Sequence, residues 1–142
     1  MKNEEWLSRP ETETKRIGQM LAQRLAAGDV VALYGEVGAG KTTLAKGIAK
    51  GLGVKSEADI SSPTFVVIHE YEGQTKVYHL DWYRLKKVEG VDEAMALECF
   101  DSEGVTLVEW PERGEPVLPE QTLRLRIRHK GPTLRLIDVV QP

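Results

Sequence analysis

Cysteine occurs once in 142 residues, at Cys99. A lone thiol can form neither an intrachain disulfide nor a cysteine-based zinc site. A chain of this length buries roughly two-thirds of its unfolded surface and needs no such staple. Nowhere do about 18 apolar residues run together, which excludes a helical membrane span. Met1 to Pro10 are polar and carry no apolar core of the kind a secretory signal needs. Positive charge is not in excess: 19 Lys and Arg stand against 22 Asp and Glu, a net charge of −3. That balance argues against a protein that grips nucleic acid by bulk charge. Repeats, low-complexity tracts and linkers are absent as well. What remains, 41% hydrophobic and 29% charged, is ordinary for a globular domain. The expectation is one domain over 1–142 in a reducing, cytoplasmic setting, with no membrane contact.

The pattern of apolar residues then orders the chain. Residues 11–27 read as a helix with Ile17, Met20, Leu21 and Leu25 on one face, Thr12 or Thr14 as its cap and Gly28 as its end. Val30 to Tyr34 is a continuous apolar run of buried-strand length, followed by a glycine-rich loop and a second helix to about Leu52, with Gly53 as C-cap. Phe65 to Tyr71 and Val77 to Leu80 flank a turn at Glu72-Gly73-Gln74 and read as a hairpin. A short helix over 90–100 and a strand at Val105 to Val108 follow. Pro111, Gly114, Pro116 and Pro119 mark a loop. Leu123, Leu125 and Ile127 alternate with Arg124, Arg126 and Arg128, a strand with one apolar and one basic face. Lys130-Gly131-Pro132 turns the chain into a last strand, Leu134 to Val140. The fold class is α/β: a P-loop NTPase-like mixed sheet with antiparallel hairpins, flanked by helices.

Chemistry concentrates at Gly35-Glu36-Val37-Gly38-Ala39-Gly40-Lys41-Thr42, which fits G-x-x-x-x-G-K-[ST] with a buried strand before it and a helix after. Glycines let the backbone fold tightly, so that N–H groups converge on phosphate oxygens. The helix N-terminus adds its positive end. Lys41 is placed to reach the β- and γ-phosphates, Thr42 to offer a hydroxyl to Mg²⁺, and Thr43 to lie near the α-phosphate. Such a site also needs an acid. Asp81 and Glu109 both end apolar strands, and either suits the role. The Asn-Lys-x-Asp signature of guanine-selective P-loop proteins is missing, which leaves adenine as the default base. His79 lies two residues from Asp81 on the same strand face and reads as a structural or hydrogen-bonding histidine. Trp82 and Trp110 each follow a candidate acid and read as packing anchors or as reporters of nucleotide state.

Four ordered blocks carry a resemblance. They are the Gly35-to-Thr43 loop, Ser61-Ser62-Pro63-Thr64-Phe65, Tyr78-His79-Leu80-Asp81-Trp82-Tyr83-Arg84, and Leu107-Val108-Glu109-Trp110. Together they resemble the TsaE (YjeE) family, small P-loop ATPases that assist synthesis of threonylcarbamoyladenosine in tRNA. The resemblance implies that Lys41 and the loop N–H groups hold the ATP phosphates, that Thr42 and Glu109 ligate Mg²⁺, and that Asp81 is the acid needed for hydrolysis. It implies that Ser62 and Thr64 belong to a loop that senses the γ-phosphate, and that Trp110 and Glu112 lie near the nucleotide. Thr12 and Gly131 would border the adenine. The implied partners are TsaB and TsaD, which carry out the threonylcarbamoyl transfer. ATP would help dock this subunit and hydrolysis would reset the complex. The implied ATPase activity is weak alone and rises with the partners.

Two other readings compete. A P-loop small-molecule kinase would need an acceptor pocket and an arginine-bearing lid, for which Arg84, Arg113 and Arg128 are the only well-placed candidates. A nucleotide-dependent RNA-binding module would rest on the Arg124, Arg126, Arg128 face, extended by His129, Lys130 and Arg135; protection of a sheet edge is the plainer account of that face. The charge balance makes tRNA contact chiefly indirect, through partners.

Overall fold

The computed structural model describes residues 4–9, 11–36, 38–55 and 68–140. Its elements are β1 (Glu5–Ser8), α1 (Glu11–Ala22), β2 (Val30–Tyr34), α2 (Lys41–Gly51), β3 (Ile68–Tyr71), β4 (Val77–Asp81), α3 (Val91–Phe100), β5 (Val105–Glu109), β6 (Leu123–His129) and β7 (Arg135–Val139), with short 3-10 turns at Pro111–Arg113 and Glu115–Val117. The strands form one seven-stranded sheet in the order β1-β7-β6-β2-β5-β4-β3.

The apolar run of β2 explains the centre of this sheet. A strand with no polar residue to show to water must be covered on both faces. Accordingly β2 lies between β5 and β6, parallel to both. Val31 and Leu33 pack into a cluster with Leu21 of α1 and Leu44 and Ile48 of α2, whereas Val30 and Ala32 join a second cluster with Trp82, Ala96 and Phe100. Helices α1 and α2 thus cover one face of the sheet and α3 the other. β4 extends the parallel core beside β5. The antiparallel pairs β3–β4 and β6–β7 are the two expected hairpins, one on each side of that core; the part of the first expected strand before Ile68 lies outside the described residues.

Helices α1 and α2 meet backbone to backbone. A Cβ at Gly47 would stand 2.3 Å from the carbonyl oxygen of Lys15, and one at Gly18 would stand 2.7 Å from that of Leu44. Bare glycine faces let the pair approach closely and seat the start of α2 against the sheet.

Three expectations about the elements need correction. The polar N-terminal segment contains a strand: β1 pairs antiparallel with β7 at the sheet's edge. Four residues with alternating exposure leave no pattern that a sequence reading can separate from a loop. Helix α1 ends at Ala22 rather than running to residue 27. Its hydrogen bonds tighten to three-residue spacing at Gln23, Arg24 and Leu25, the side chain of Asp29 accepts the Ala26 N–H, and the Gly28 N–H turns away to Gly104. At the other end Thr14 is buried and bonds Ser8 at 2.7 Å instead of capping, while Glu13 accepts the Arg9 N–H. Finally, β6 is an interior strand, so its basic face does not protect an edge. Arg126 and Arg128 pair with Asp138, Arg124 pairs with Glu115, and Arg135 donates to the Ala39 carbonyl. Among the described residues, no helix is long and apolar enough to cross a membrane.

Candidate functional site

β2 ends at Tyr34, and the chain turns through residues 35–40 before entering α2. Two glycines make this turn possible. Gly40 precedes α2 with φ 109° and ψ 17°, a left-handed conformation that side-chain-bearing residues avoid. A Cβ on Gly35 would stand 2.7 Å from the backbone oxygen of Ile127 in β6. No side chain caps α2, so the N–H groups of its first turn have no intrahelical acceptor and face the loop. Arg135 braces the loop from β7 through its 2.9 Å bond to Ala39 O.

Lys41 is nearly buried. Its ammonium donates to Gly35 O at 2.6 Å and stands 3.7 Å from the centroid of the Trp110 ring, a cation–π contact. Burial pulls its pKa below the ordinary lysine value, against the opposing fields of Glu109, Glu112 and Asp81. Trp110 is held there by a strained backbone. It has φ 58°, the only positive φ of a non-glycine residue among those described, and this turns the chain out of β5 so that its ring folds back over Lys41. Tyr83 lies against the ring of Trp110 at 4.9 Å between centroids.

The two acids stand side by side. β4 and β5 run parallel with Asp81 opposite Glu109, at the C-terminal ends where open α/β sheets bind their ligands. Their surroundings differ. Glu109 is only 3% exposed, takes a 2.6 Å hydrogen bond from His79 Nε2 and meets the Thr42 hydroxyl at 3.5 Å, both on the same oxygen. Asp81 is half-buried, and its Oδ1 accepts the Tyr83 N–H at 2.9 Å. Thr42 and Glu109 offer hard oxygen donors, which suit Mg²⁺, an ion that completes its shell with waters and phosphate oxygens.

Beside the loop opens a cavity of about 510 Å³, lined by Tyr34, Gly35, Glu36, Ala39, Trp110 and Glu112 and closed by Arg126 to His129 of β6.

Comparison with known proteins shows the family of the chain. Residues 8–137 match the family model described as threonylcarbamoyl adenosine biosynthesis protein TsaE. The chain belongs to the TsaE family. It is 41% identical over 122 residues to the tRNA threonylcarbamoyladenosine biosynthesis protein TsaE of Treponema pallidum, covering 86% of this chain and 89% of that one. Against the protein of the same name from Bacillus subtilis it is 41% identical over 133 residues, 92% and 81% of the two chains. The crystal structure of Bacillus subtilis YdiB superposes with a TM-score of 0.78 at 37% identity, over 97% of this chain and 84% of that one.

The residues that the TsaE resemblance singles out are partly gathered. Lys41, Thr42, Asp81, Glu109 and Trp110 converge at the head of α2, and Thr43 lies in the same helical turn. Gly35, Glu36, Ala39 and Glu112 line the adjoining cavity, and Gly38 lies in the loop between them. Thr12 is exposed on α1 and Gly131 sits in the β6–β7 turn; neither lines that cavity. Val37, Ser62 and Thr64 lie outside the described residues. Trp82 is fully buried in the core, as a packing anchor is. Sequence reasoning did not tie His79 to Glu109 or Arg135 to the loop. Those contacts span 30 and 96 residues, and no local pattern signals them.

Proposed function

We propose that this chain binds ATP at the loop between β2 and α2 and hydrolyses it in support of threonylcarbamoyl transfer to tRNA adenosine by TsaB- and TsaD-type partners. One observation carries the reading. Two strand-end carboxylates in different surroundings, Asp81 and Glu109, stand in register beside a lysine and a threonine at the N-terminus of the helix that follows a glycine-rich loop. The TsaE relatives, named for tRNA threonylcarbamoyladenosine biosynthesis, supply the pathway.

In this reading the loop and first-turn N–H groups cradle the phosphates. Lys41 leaves Gly35 O and the Trp110 ring for the terminal phosphates. Thr42 and Glu109 would hold Mg²⁺, which supplies neutralisation of phosphate charge when bound. Asp81, the less buried acid, orients the attacking water or acts just behind it. The Trp110 ring and Glu112 border the nucleotide from the cavity side. Ser62 and Thr64 would sense the γ-phosphate, and Thr12 and Gly131 would approach the base.

Paired substitutions test it. Lys41→Ala should abolish nucleotide binding, measured by titration with a fluorescent ATP analogue. Asp81→Ala should lose hydrolysis by a factor of about 10²–10⁴, the range of a lost acid or base, while keeping most of the affinity. Normal turnover by Lys41→Ala, or phosphorylation of a small metabolite at about 1–10³ s⁻¹, would overturn the proposal.

A further inference from the structure

We propose that His79 is a positioning residue for the cation-binding carboxylate. By donating its Nε2–H to one oxygen of Glu109, it fixes the rotation of that carboxylate beside Thr42. The proposal rests on the reading of Glu109 as a ligand of nucleotide-bound magnesium.

His79 is fully buried in β4, an interior strand, on the same face as Val77, which belongs to the cluster under α1 and α2. An imidazole there forfeits hydration, which a leucine of similar reach would not. Its compensation is a single hydrogen bond. Nε2 lies 2.6 Å from Glu109 Oε2, while Nδ1 is buried with no hydrogen-bond partner among the described residues. This arrangement selects the tautomer. With the proton on Nε2, the ring donates to a carboxylate and leaves only a lone pair unmatched. With the proton on Nδ1, a buried N–H would be orphaned and a lone pair would face an anion. His79 is therefore a donor through Nε2 with Glu109 as its acceptor.

That acceptor benefits in a specific way. The terminal torsion of a glutamate is soft and nearly two-fold, so an unrestrained Glu109 would present either oxygen to Thr42. The His79 bond takes Oε2, the same oxygen that the Thr42 hydroxyl meets at 3.5 Å. Among the described residues, the other oxygen has no hydrogen-bond donor. A carboxylate held in this way keeps its other oxygen in a constant orientation. Partners that orient metal ligands in this manner are worth roughly 10–100-fold in metal affinity.

The test uses Mn²⁺ as the probe, its binding to the full chain followed by electron paramagnetic resonance with ADP present. Nucleotide affinity is measured separately in EDTA. His79→Leu should weaken Mn²⁺ binding by roughly 10–100-fold and leave the EDTA affinity for ADP unchanged. His79→Gln, whose amide N–H reaches the place of Nε2, should recover most of the loss. If His79→Leu does not fold, His79→Gln and His79→Asn make the comparison, because asparagine reaches only the place of Nδ1; tight binding by the first and weak binding by the second is expected. Wild-type Mn²⁺ affinity in His79→Leu, or equal affinities in the glutamine and asparagine variants, overturns the proposal. Glu109→Gln separates the two levels. If it binds Mn²⁺ as wild type does, Glu109 is not a ligand, and the underlying reading falls together with the role of His79.

Discussion

The Tyr34 phenol, at the end of β2, donates to the Glu115 carboxylate and accepts from Arg124 Nε at 3.3 Å. Burial first, and the Glu115 acceptor second, push its pKa from 10.0 to about 12. The folded chain therefore favours the neutral phenol. Its contribution to stability is complete below pH 10 and is lost as the pH rises toward 12, because the unfolded tyrosine ionises first. Tyr34→Phe should show a smaller fall in the urea midpoint across that window than wild type does; equal falls would show that the phenol is not coupled to folding. Single residues in the site behave differently from one another for reasons of burial. The place of Lys41 at the head of the helix is legible from the motif, but its contact with Trp110 is not, since that depends on a backbone turn 69 positions away in the chain. Cys99 is buried, and burial raises its thiol pKa, so it stays protonated and unreactive at neutral pH.

Helices α1 and α2 act as a unit. Their crossing rests on Gly18 and Gly47, and the first turn of α2 is the phosphate-facing part of the proposed site. Gly47→Ala places a methyl group 2.3 Å from Lys15 O, and a backbone atom cannot move aside cheaply. The variant should lose about 1–3 kcal/mol, the usual cost of overpacking, measured by urea denaturation. A gain in stability, from the better helix propensity of alanine, would show that the crossing tolerates the methyl. Element ends were less legible than element centres. Of the stripe Ile17, Met20, Leu21 and Leu25, Leu21 is buried and Ile17 and Leu25 pack against the same cluster, whereas Met20 is exposed. The helix nonetheless stops at Ala22, because the turns after it, the Asp29 side chain and the Gly28 contact with Gly104 offer the backbone other partners. A periodic stripe reports which side chains face the core and says nothing of the hydrogen bonds that carry them there.

At the scale of the whole molecule, the basic stripe of β6 changes meaning. Each of its three arginines has an acidic partner, Asp138 for Arg126 and Arg128 and Glu115 for Arg124. With most of that charge offset by Asp138 and Glu115, a strong grip on RNA by this face alone is not expected. The proposed role then predicts dependence on other proteins. ATP turnover by the isolated chain should be slow and should rise on addition of TsaB and TsaD, measured as phosphate release. Turnover unchanged by those proteins would argue for an activity complete in this chain.

The glycine-rich loop between β2 and α2 was determined by the sequence alone. G-x-x-x-x-G-K-[ST] acts through consecutive residues: glycines free to turn, a lysine at the first position of a helix, and a buried strand that anchors the start. The expected hairpins were legible for the same reason, since each is built from neighbouring segments. Only the tertiary structure showed how the surroundings of the two acids differ. In sequence, Asp81 and Glu109 look alike, each closing an apolar strand. In the fold, Glu109 is sealed between His79 and Thr42, while Asp81 stays half-open beside it. That difference depends on which strands are neighbours and in what register. Parallel pairing of β4 with β5 and of β5 with β2 joins segments that never touch along the chain, so no local pattern can encode which carboxylate is buried.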